Sequence, residues 1–474
     1  MSEKLIELVF IPFPSLSHLA ALVKLAKLLT DTDRRLSVTI LIFKTPIDTK
    51  IDSFTKNYSH SRVRFVQIIP HDESRILEVM KSPSTFMFQF IGSQKKAAMD
   101  AVTEIMKDPT RIVAGFVMDM FCTAMIEVAD EFRVPSYICF TCGAAVLGLL
   151  LHFQRLNDEF GPGYVAAQYE GSDSEVSIPT YINPYPASVL PSIVFEKDFG
   201  VLDHLKRFRD CKGIVINTFV ELESHAVKSL LADVNVPNIF PIGPMIQEAS
   251  GEEQRKGQGE ILKWLDQQPD SSVVYLCFGT DGCFDSEQVK EIATGLEKSG
   301  HRFLWSLRKP APEGKFEMAG VYEDPEEVLP EGFLQRTSGV GKVIGWAPQM
   351  AVLSHCSVGG FVSHCGWNST LESVWCGVPL AVWPLFAEQQ ANAFQFVKEF
   401  GMAVDIKMDY RKNCGVIVGA EKIERAIREL MDMDNEIRVK VKAMADKSRV
   451  TYEEGGSSKD FLGRLVQDFV GTVS

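Results

Sequence analysis

Apolar runs of strand length alternate with helix-length amphipathic stretches along nearly the whole chain, and the alternation starts twice. No other feature narrows the fold as much. Strand–helix–strand repetition makes β-α-β units, and these build parallel sheets with helices on both faces. In the first half the strand-like runs are Leu8–Phe13, Ser37–Phe43, Val63–Ile69, Ile112–Met118, Ser136–Phe140 and Gly213–Thr218. Helical patterns lie between them at His18–Leu29, Phe88–Met106 and Gly143–Asn157. The segment Gln247–Gly259, QEASGEEQRKGQG, is polar with no apolar period and reads as a linker. Strand-like runs then resume at Ser272–Phe278, Arg302–Leu307, Lys342–Gly345, Val358–Ser363, Leu380–Pro384 and Met402–Ile406. Helical patterns follow at Ala420–Met433, Glu436–Tyr452 and Ser457–Val470.

The expected fold is α/β, with two Rossmann-like, doubly wound domains facing across a cleft. The first spans residues 1–246 and the second 260–454, joined by the linker 247–259; the last stretch, 455–474, could pack on either. A length of 474 residues, too great for one core, agrees. Gln168–Glu175 and Pro310–Asp324 read as long mobile loops, and the proline-studded run Ile178–Ile193 as a pocket wall. In such sheets ligands bind beyond the carboxyl ends of the strands, where the strand order reverses. The chemistry is therefore expected in the loops that follow strands.

The formal net charge of −13 argues against a nucleic-acid or anionic-membrane binder, which needs a basic face. An anionic ligand would have to be held by local devices such as helix N-termini. Ten cysteines in no framework pattern suit a reducing cytosol. The C-x-x-C pair Cys139 and Cys142 ends an apolar strand pattern and reads as buried rather than redox-active. The charged start MSEKLIELVFIPFP carries no secretory signal, and the apolar stretch Phe140–Leu151 is too short to span a bilayer. A cytoplasmic monomer without membrane insertion is the expectation. The His-Cys pairs at 355–356 and 364–365 do not close one tetrahedral metal site. The Asp-x-Asp triplets at 31–33 and 432–434 fall at helix ends and read as caps rather than metal ligands.

The most informative stretch runs from Trp346 to Gln389: WAPQMAVLSHCSVGGFVSHCGWNSTLESVWCGVPLAVWPLFAEQ. It reads as a turn, a short helix, a strand, a Cys-Gly loop, and a helix that Asn368 or Ser369 would cap and Gly377 would end. A strand, a glycine turn and a helix N-terminus make an anion site of orphan N–H groups. The stretch contains no Lys or Arg, so a diphosphate would be held by dipoles, hydroxyls and His364. Glu372, one turn into the helix, suits ribose hydroxyls, and Glu388 with Gln389 suits the vicinal hydroxyls of a sugar.

In the first half, His18 follows the first strand and Asp119 ends the fourth. Strands one and four are neighbours in a sheet of order 3-2-1-4, so topology brings the two residues together. A His oriented by a carboxylate is the usual arrangement of a general base.

The stretch 346–389 resembles the signature box of the plant family 1 UDP-dependent glycosyltransferases, and the alternating pattern agrees over essentially the full chain. The resemblance implies two Rossmann-like domains of the GT-B kind, an inverting transfer with His18 as base and Asp119 as its partner, UDP-glucose as co-substrate, and no cofactor or metal. It assigns Trp346 to stacking on uracil and Ala347 and Gln349 to the base and ribose, with Glu372 on the ribose hydroxyls. His364, Asn368 and Ser369 would meet the diphosphate, and Trp367, Glu388 and Gln389 the sugar. Gln389, at the last position, favours glucose. Thr141 matches a position near the sugar's 6-hydroxyl, and Thr280 stands where Ser is usual beside the phosphate. Ser17 stands where Gly commonly precedes the catalytic His.

Phe13, Phe88, Phe121, Val146, Ile182 and Phe386 are the candidate walls of a pocket for a small phenolic, flavonoid or terpenoid acceptor. Two other functions share parts of this pattern. A nicotinamide oxidoreductase needs Gly-x-Gly-x-x-Gly after the first strand, where this chain has Pro-Ser-Leu-Ser-His. A non-catalytic UDP-sugar binder would keep the box and lack the pair, and both His18 and Asp119 are present.

Overall fold

Parallel strands β1 (Leu5–Ile11), β2 (Leu36–Phe43), β3 (Val63–Ile68), β4 (Arg111–Asp119), β5 (Ser136–Phe140), β6 (Gly213–Ile216) and β7 (Asn238–Pro241) form one sheet in the order β3-β2-β1-β4-β5-β6-β7. The computed structural model describes residues 4–44, 50–69, 83–195, 200–246, 252–312, 319–412 and 414–473. β1, β2, β4 and β5 are Val/Ile/Phe-rich and buried along most of their length, as strands covered on both faces must be. The seventh strand has no counterpart in the sequence reading. Asn238–Pro241 is short, preceded by Pro237 and ended by Pro241, a composition that sheets admit only at an edge, which is where it lies.

The second sheet is built from β8 (Val273–Cys277), β9 (Arg302–Ser306), β10 (Gly341–Ile344), β11 (Val358–Ser363), β12 (Leu380–Val382) and β13 (Ala403–Asp405), in the order β10-β9-β8-β11-β12-β13. Counted from its own first strand, it repeats the 3-2-1-4 order of the first sheet. Two parallel-sheet α/β units of Rossmann-like topology are therefore present.

Several elements differ from their expected form. The stretch Phe88–Met106 is two helices, Pro83–Ser93 and Lys95–Met106, with a break at Gln94. Of the polar stretch 247–259, residues 247–251 lie outside the described residues, and the remainder belongs to helix Glu252–Leu265. Its buried anchors, Ile261 and Leu265, come after the polar part, so the apolar signal was displaced from the helix start. Of the loop Pro310–Asp324, residues 313–318 lie outside the described residues, and Gly320–Val321 pairs antiparallel with Arg308–Lys309. The last helix, Ser457–Gly471, returns to the first sheet, where Leu462, Leu465, Val466 and Phe469 are buried among side chains of β1, β2, β4 and β7. Each such side chain contributes roughly 1.5–3 kcal/mol. Tyr137 of β5 donates to Asp468 at 2.8 Å and fixes the helix along the strand. Among the described residues no helix is long and apolar enough to cross a membrane.

Candidate active site

The two sheets present their switch points to each other. In the first, β1 and β4 pair in parallel as far as Ile11 and Met118, so the segments leaving them emerge side by side. His18 stands in the first turn of helix Leu16–Thr32, and its Nδ1 lies 2.7 Å from Asp119 Oδ2 across a hundred residues of sequence. Asp119 is fully buried, and its other oxygen accepts the Phe121 backbone N–H at 3.0 Å. A carboxylate can only accept, so the Nδ1 proton points at Asp119 and Nε2 keeps its lone pair. The imidazole is 21% exposed, enough to reach a ligand. Burial pulls its pKa down, but attraction and hydrogen bonding to Asp119, with a contribution from Glu388, outweigh that and raise it above 6.5. Glu388 comes from the second half, so the two halves meet at this ring.

Phe13 and Phe121 flank the imidazole with ring centroids 5.4 and 5.5 Å away, and Phe88 packs on Phe121 at 6.1 Å. Three of the six candidate wall residues are thus gathered at His18. The other three are not. Val146 is packed into the core, and Ile182 is 67% exposed with its backbone N–H donating to Glu399. Phe386 is half-exposed in the loop before Gln389 and belongs to the second half. The proline run that carries Ile182 is a seam instead. Asn183 also donates to Glu399, and Arg411 donates to the Ser188 carbonyl at 3.0 Å. Periodicity could not distinguish a pocket wall from a seam, since both are apolar and irregular.

At the second switch point, His364 follows β11 directly and meets the turn after β8. Gly279 in that turn has φ +80°, and a Cβ there would lie 2.7 Å from His364 Nε2; one at Gly366 would lie 2.6 Å away. Only glycines allow the ring this seat. Burial lowers its pKa to about 4, and Nδ1 has no partner among the described residues. Thr280 is exposed next to it. The following helix is Trp367–Cys376, and it is capped two or three residues earlier than expected. Its N-cap is Gly366, with no side-chain cap, so Asn368 and Ser369 are first-turn residues rather than caps. Their backbone N–H groups have no partner within the helix, which leaves the anion site open. The end is as expected: Gly377 has φ +71° and its N–H returns to Val374.

Trp346 is 46% exposed on the turn before helix Gln349–Leu353, and the neighbouring Ala347 is buried. Gln349 Nε2 donates to Ser369 Oγ at 2.9 Å and to Glu372 Oε2 at 2.8 Å, which ties three of the candidate donor residues together. Burial raises the Glu372 pKa to about 7. Gln389 is buried, and its Oε1 accepts the backbone N–H groups of Leu385 and Phe386 at 2.8 and 3.1 Å, which leaves its Nε2 free to donate. Burial also raises the Glu388 pKa. Ala387, just before it, has φ +55° without being glycine, a strained turn of the kind held in place at binding sites.

The Trp367 indole N–H donates to the Asn217 carbonyl at 2.7 Å and the ring is buried, so the side chain anchors the two halves. Thr141 is buried, with its hydroxyl on Met120 Sδ. Cys142 beside it is partly exposed, and burial with the Glu388 and Asp119 carboxylates pushes its thiol pKa up. It faces the site, unlike its buried C-x-x-C partner Cys139. His204 was also missed: it stacks on Phe88 at 3.3 Å and lies 3.0 Å from the Thr123 hydroxyl, and burial takes its pKa to about 4. Glu223 is a third, a buried carboxylate that accepts from Ala144 N, Ala145 N and Gln395 Nε2. It caps helix Ala144–Phe160 and crosses to the second half, and a position immediately before helix Ser224–Ala232 was its only sequence signal. Among the described residues no group of three or more His, Cys, Asp or Glu side chains could hold a metal ion.

Comparison with known proteins bears on this arrangement. A family profile described as UDP-glucoronosyl and UDP-glucosyl transferase matches residues 223–436. The chain is 51% identical to UDP-glycosyltransferase 71E1 of Stevia rebaudiana, over 97% of this chain and 98% of that one. It is 48% identical to UDP-glucose flavonoid 3-O-glucosyltransferase 6 of Fragaria ananassa, over 98% of each. Among solved structures, a UGT transferase from Siraitia grosvenorii in complex with UDP superimposes with a TM-score of 0.89 at 44% identity, over 98% of this chain and 100% of that one. UGT71G1 of Medicago truncatula complexed with UDP-glucose gives 0.85 at 37% identity, over 99% of both.

Proposed function

Since the chain belongs to the UDP-glycosyltransferases, the plant family 1 enzymes with the GT-B fold, we propose that it transfers glucose from UDP-glucose to a hydroxyl of a small apolar acceptor by a single inverting displacement. The observation that carries this reading is the 2.7 Å bond from His18 to Asp119, placed where the charge of Glu388 from the second half acts on the same ring. His18 Nε2 takes the acceptor's hydroxyl proton as that oxygen bonds to the anomeric carbon. The bond from that carbon to the UDP oxygen breaks, and the developing imidazolium is stabilised by Asp119. The charge gathering on the departing diphosphate is met by the uncapped N–H groups at Asn368 and Ser369, the Thr280 hydroxyl and His364. Neutral donors of this kind need no metal. Trp346 stacks on the uracil beside Ala347 and Gln349, Glu372 takes the ribose hydroxyls, and Glu388 with Gln389 takes those of glucose.

The relatives' names support the donor and acceptor classes. One of them is named a UDP-glucose flavonoid glucosyltransferase, and an anthocyanidin 3-O-glucosyltransferase of Manihot esculenta is 47% identical. Phe13, Phe88 and Phe121 beside His18 suit the flat apolar face of a phenol or flavonoid. The test is a mass-spectrometric screen of UDP-glucose, UDP-galactose and UDP-glucuronate against phenolic, flavonoid and terpenoid alcohols. The expected product gains one hexose from UDP-glucose, with β configuration by the anomeric proton coupling. An α-linked product, or no product from any donor, would overturn the reading.

A further inference from the structure

Asn217 lies one residue beyond β6, is 1% exposed, and has all of its polar groups in use. Its N–H donates to the Phe140 carbonyl at 3.2 Å, and its carbonyl accepts the Trp367 indole N–H at 2.7 Å. Its side-chain Oδ1 accepts the Met245 backbone N–H at 2.8 Å, and its Nδ2 donates to Asn368 Oδ1 at 3.1 Å.

The two ends of an amide have nearly the same shape, so its orientation must be read from its partners. Here the partners leave one solution. A backbone N–H only donates, so the end of Asn217 that faces Met245 is the oxygen. The end that faces Asn368 is then the NH2 group, which also only donates. Asn368 must answer with its oxygen and turn its own NH2 group away. Asn368 sits in the uncapped first turn of helix Trp367–Cys376, beside the N–H groups assigned above to the diphosphate.

We propose that Asn217 is a positioning residue for the donor: the chain of bonds Met245–Asn217–Asn368 commits Asn368 to offering N–H donors, not an oxygen, to the diphosphate. It touches neither substrate. The box has no Lys or Arg, so anion binding depends on the direction of each neutral dipole. A reversed Asn368 would set an acceptor against phosphate oxygens. The inference rests on the nucleotide-sugar reading of the box.

Calorimetric titration of the full chain with UDP and with uridine tests it, alongside thermal melting and at pH 8.5 so that a new carboxyl is ionised. In Asn217→Asp the carboxylate still satisfies Met245 but demands a donor from Asn368 and reverses it. UDP should bind about tenfold more weakly or worse, the size of losing a hydrogen bond to a charged group, and uridine within about twofold of wild type. Asn217→Ala removes the constraint without reversing it, so its UDP loss should be smaller, about threefold, and equally confined to the diphosphate. If Asn217→Asp does not fold, the UDP-to-uridine ratio in Asn217→Ala decides alone. Equal losses for UDP and uridine, or unchanged UDP affinity in the folded variants, would overturn the proposal, because a purely structural residue would not distinguish the two ligands. Wild-type protein that binds neither UDP nor uridine would overturn the donor reading itself.

Discussion

The two halves share one strand order and place their chemistry at the same point of it, between the first and fourth strands, yet they occupy that point differently. In the first half the position holds a completed pair, His18 on Asp119, with both carboxylate oxygens engaged and apolar rings around it. In the second half the equivalent position holds His364, whose Nδ1 has no partner among the described residues, glycines where side chains would collide with it, and a helix without a side-chain cap from its N-cap residue. On the proposed function, one half is assembled in advance of its substrate, and the other presents donors to an anion. The physical reason is what each would have to do. A base has to be oriented and tuned before the proton moves, whereas a diphosphate site gains by keeping its N–H groups unspent.

Removing the base tests the assembled half most severely. His18→Ala should lower kcat/KM about 10³–10⁴-fold while UDP still raises the melting temperature as in wild type. Most turnover surviving would refute the assignment. Asp119→Asn should cost about 10²-fold or more, since a reversed tautomer withdraws the Nε2 lone pair. It should also move the pH profile. His18 acts only when deprotonated, so in wild type kcat/KM rises with pH through a pKa held above 6.5 by Asp119. Without that charge, burial is left to lower the pKa, and the rising limb should move to lower pH; a limb that stays in place would separate Asp119 from the titration.

In the open half, single losses should be smaller because binding is spread over many neutral contacts. Trp346→Ala should weaken UDP by about five- to 150-fold, the 1–3 kcal/mol of a stacked base, with kcat little changed at saturation. An affinity within twofold of wild type would mean that the exposed ring does not stack. The smallest effect should come from chelation: EDTA should leave the rate unchanged, and a strict Mn²⁺ requirement would show that dipoles alone do not hold the diphosphate.

Much of this was legible in the sequence. Strands β5 and β11 are delimited by the sequence to the residue and the others within about three, except β7, which the sequence does not show. The pairing of His18 with Asp119 followed from strand order alone, because parallel β-α-β units admit few topologies. Less legible were features set by a partner far away in sequence. Trp367 reads as an aromatic of the box, and only the Asn217 carbonyl across the seam makes it an anchor. Asn368 and Ser369 look like caps, but the helix is capped two or three residues earlier, at Gly366, which leaves them in the open first turn. Ile182 and Phe88 look alike as candidate walls, and packing sent one to the seam and the other to the ring cluster.

The sequence by itself determined the two repeated sheets, the strand-end placement of the chemistry and the acidic, neutral-donor character of the box. These depend on local periodicity and residue type, which no distant partner alters. The tertiary structure alone decided which groups remain free to act: the Nε2 of His18, the Nε2 of Gln389 and the side-chain NH2 group of Asn368. Freedom to bind a ligand is what is left after every nearby donor and acceptor has been paired, and that remainder exists only once the chain has closed on itself.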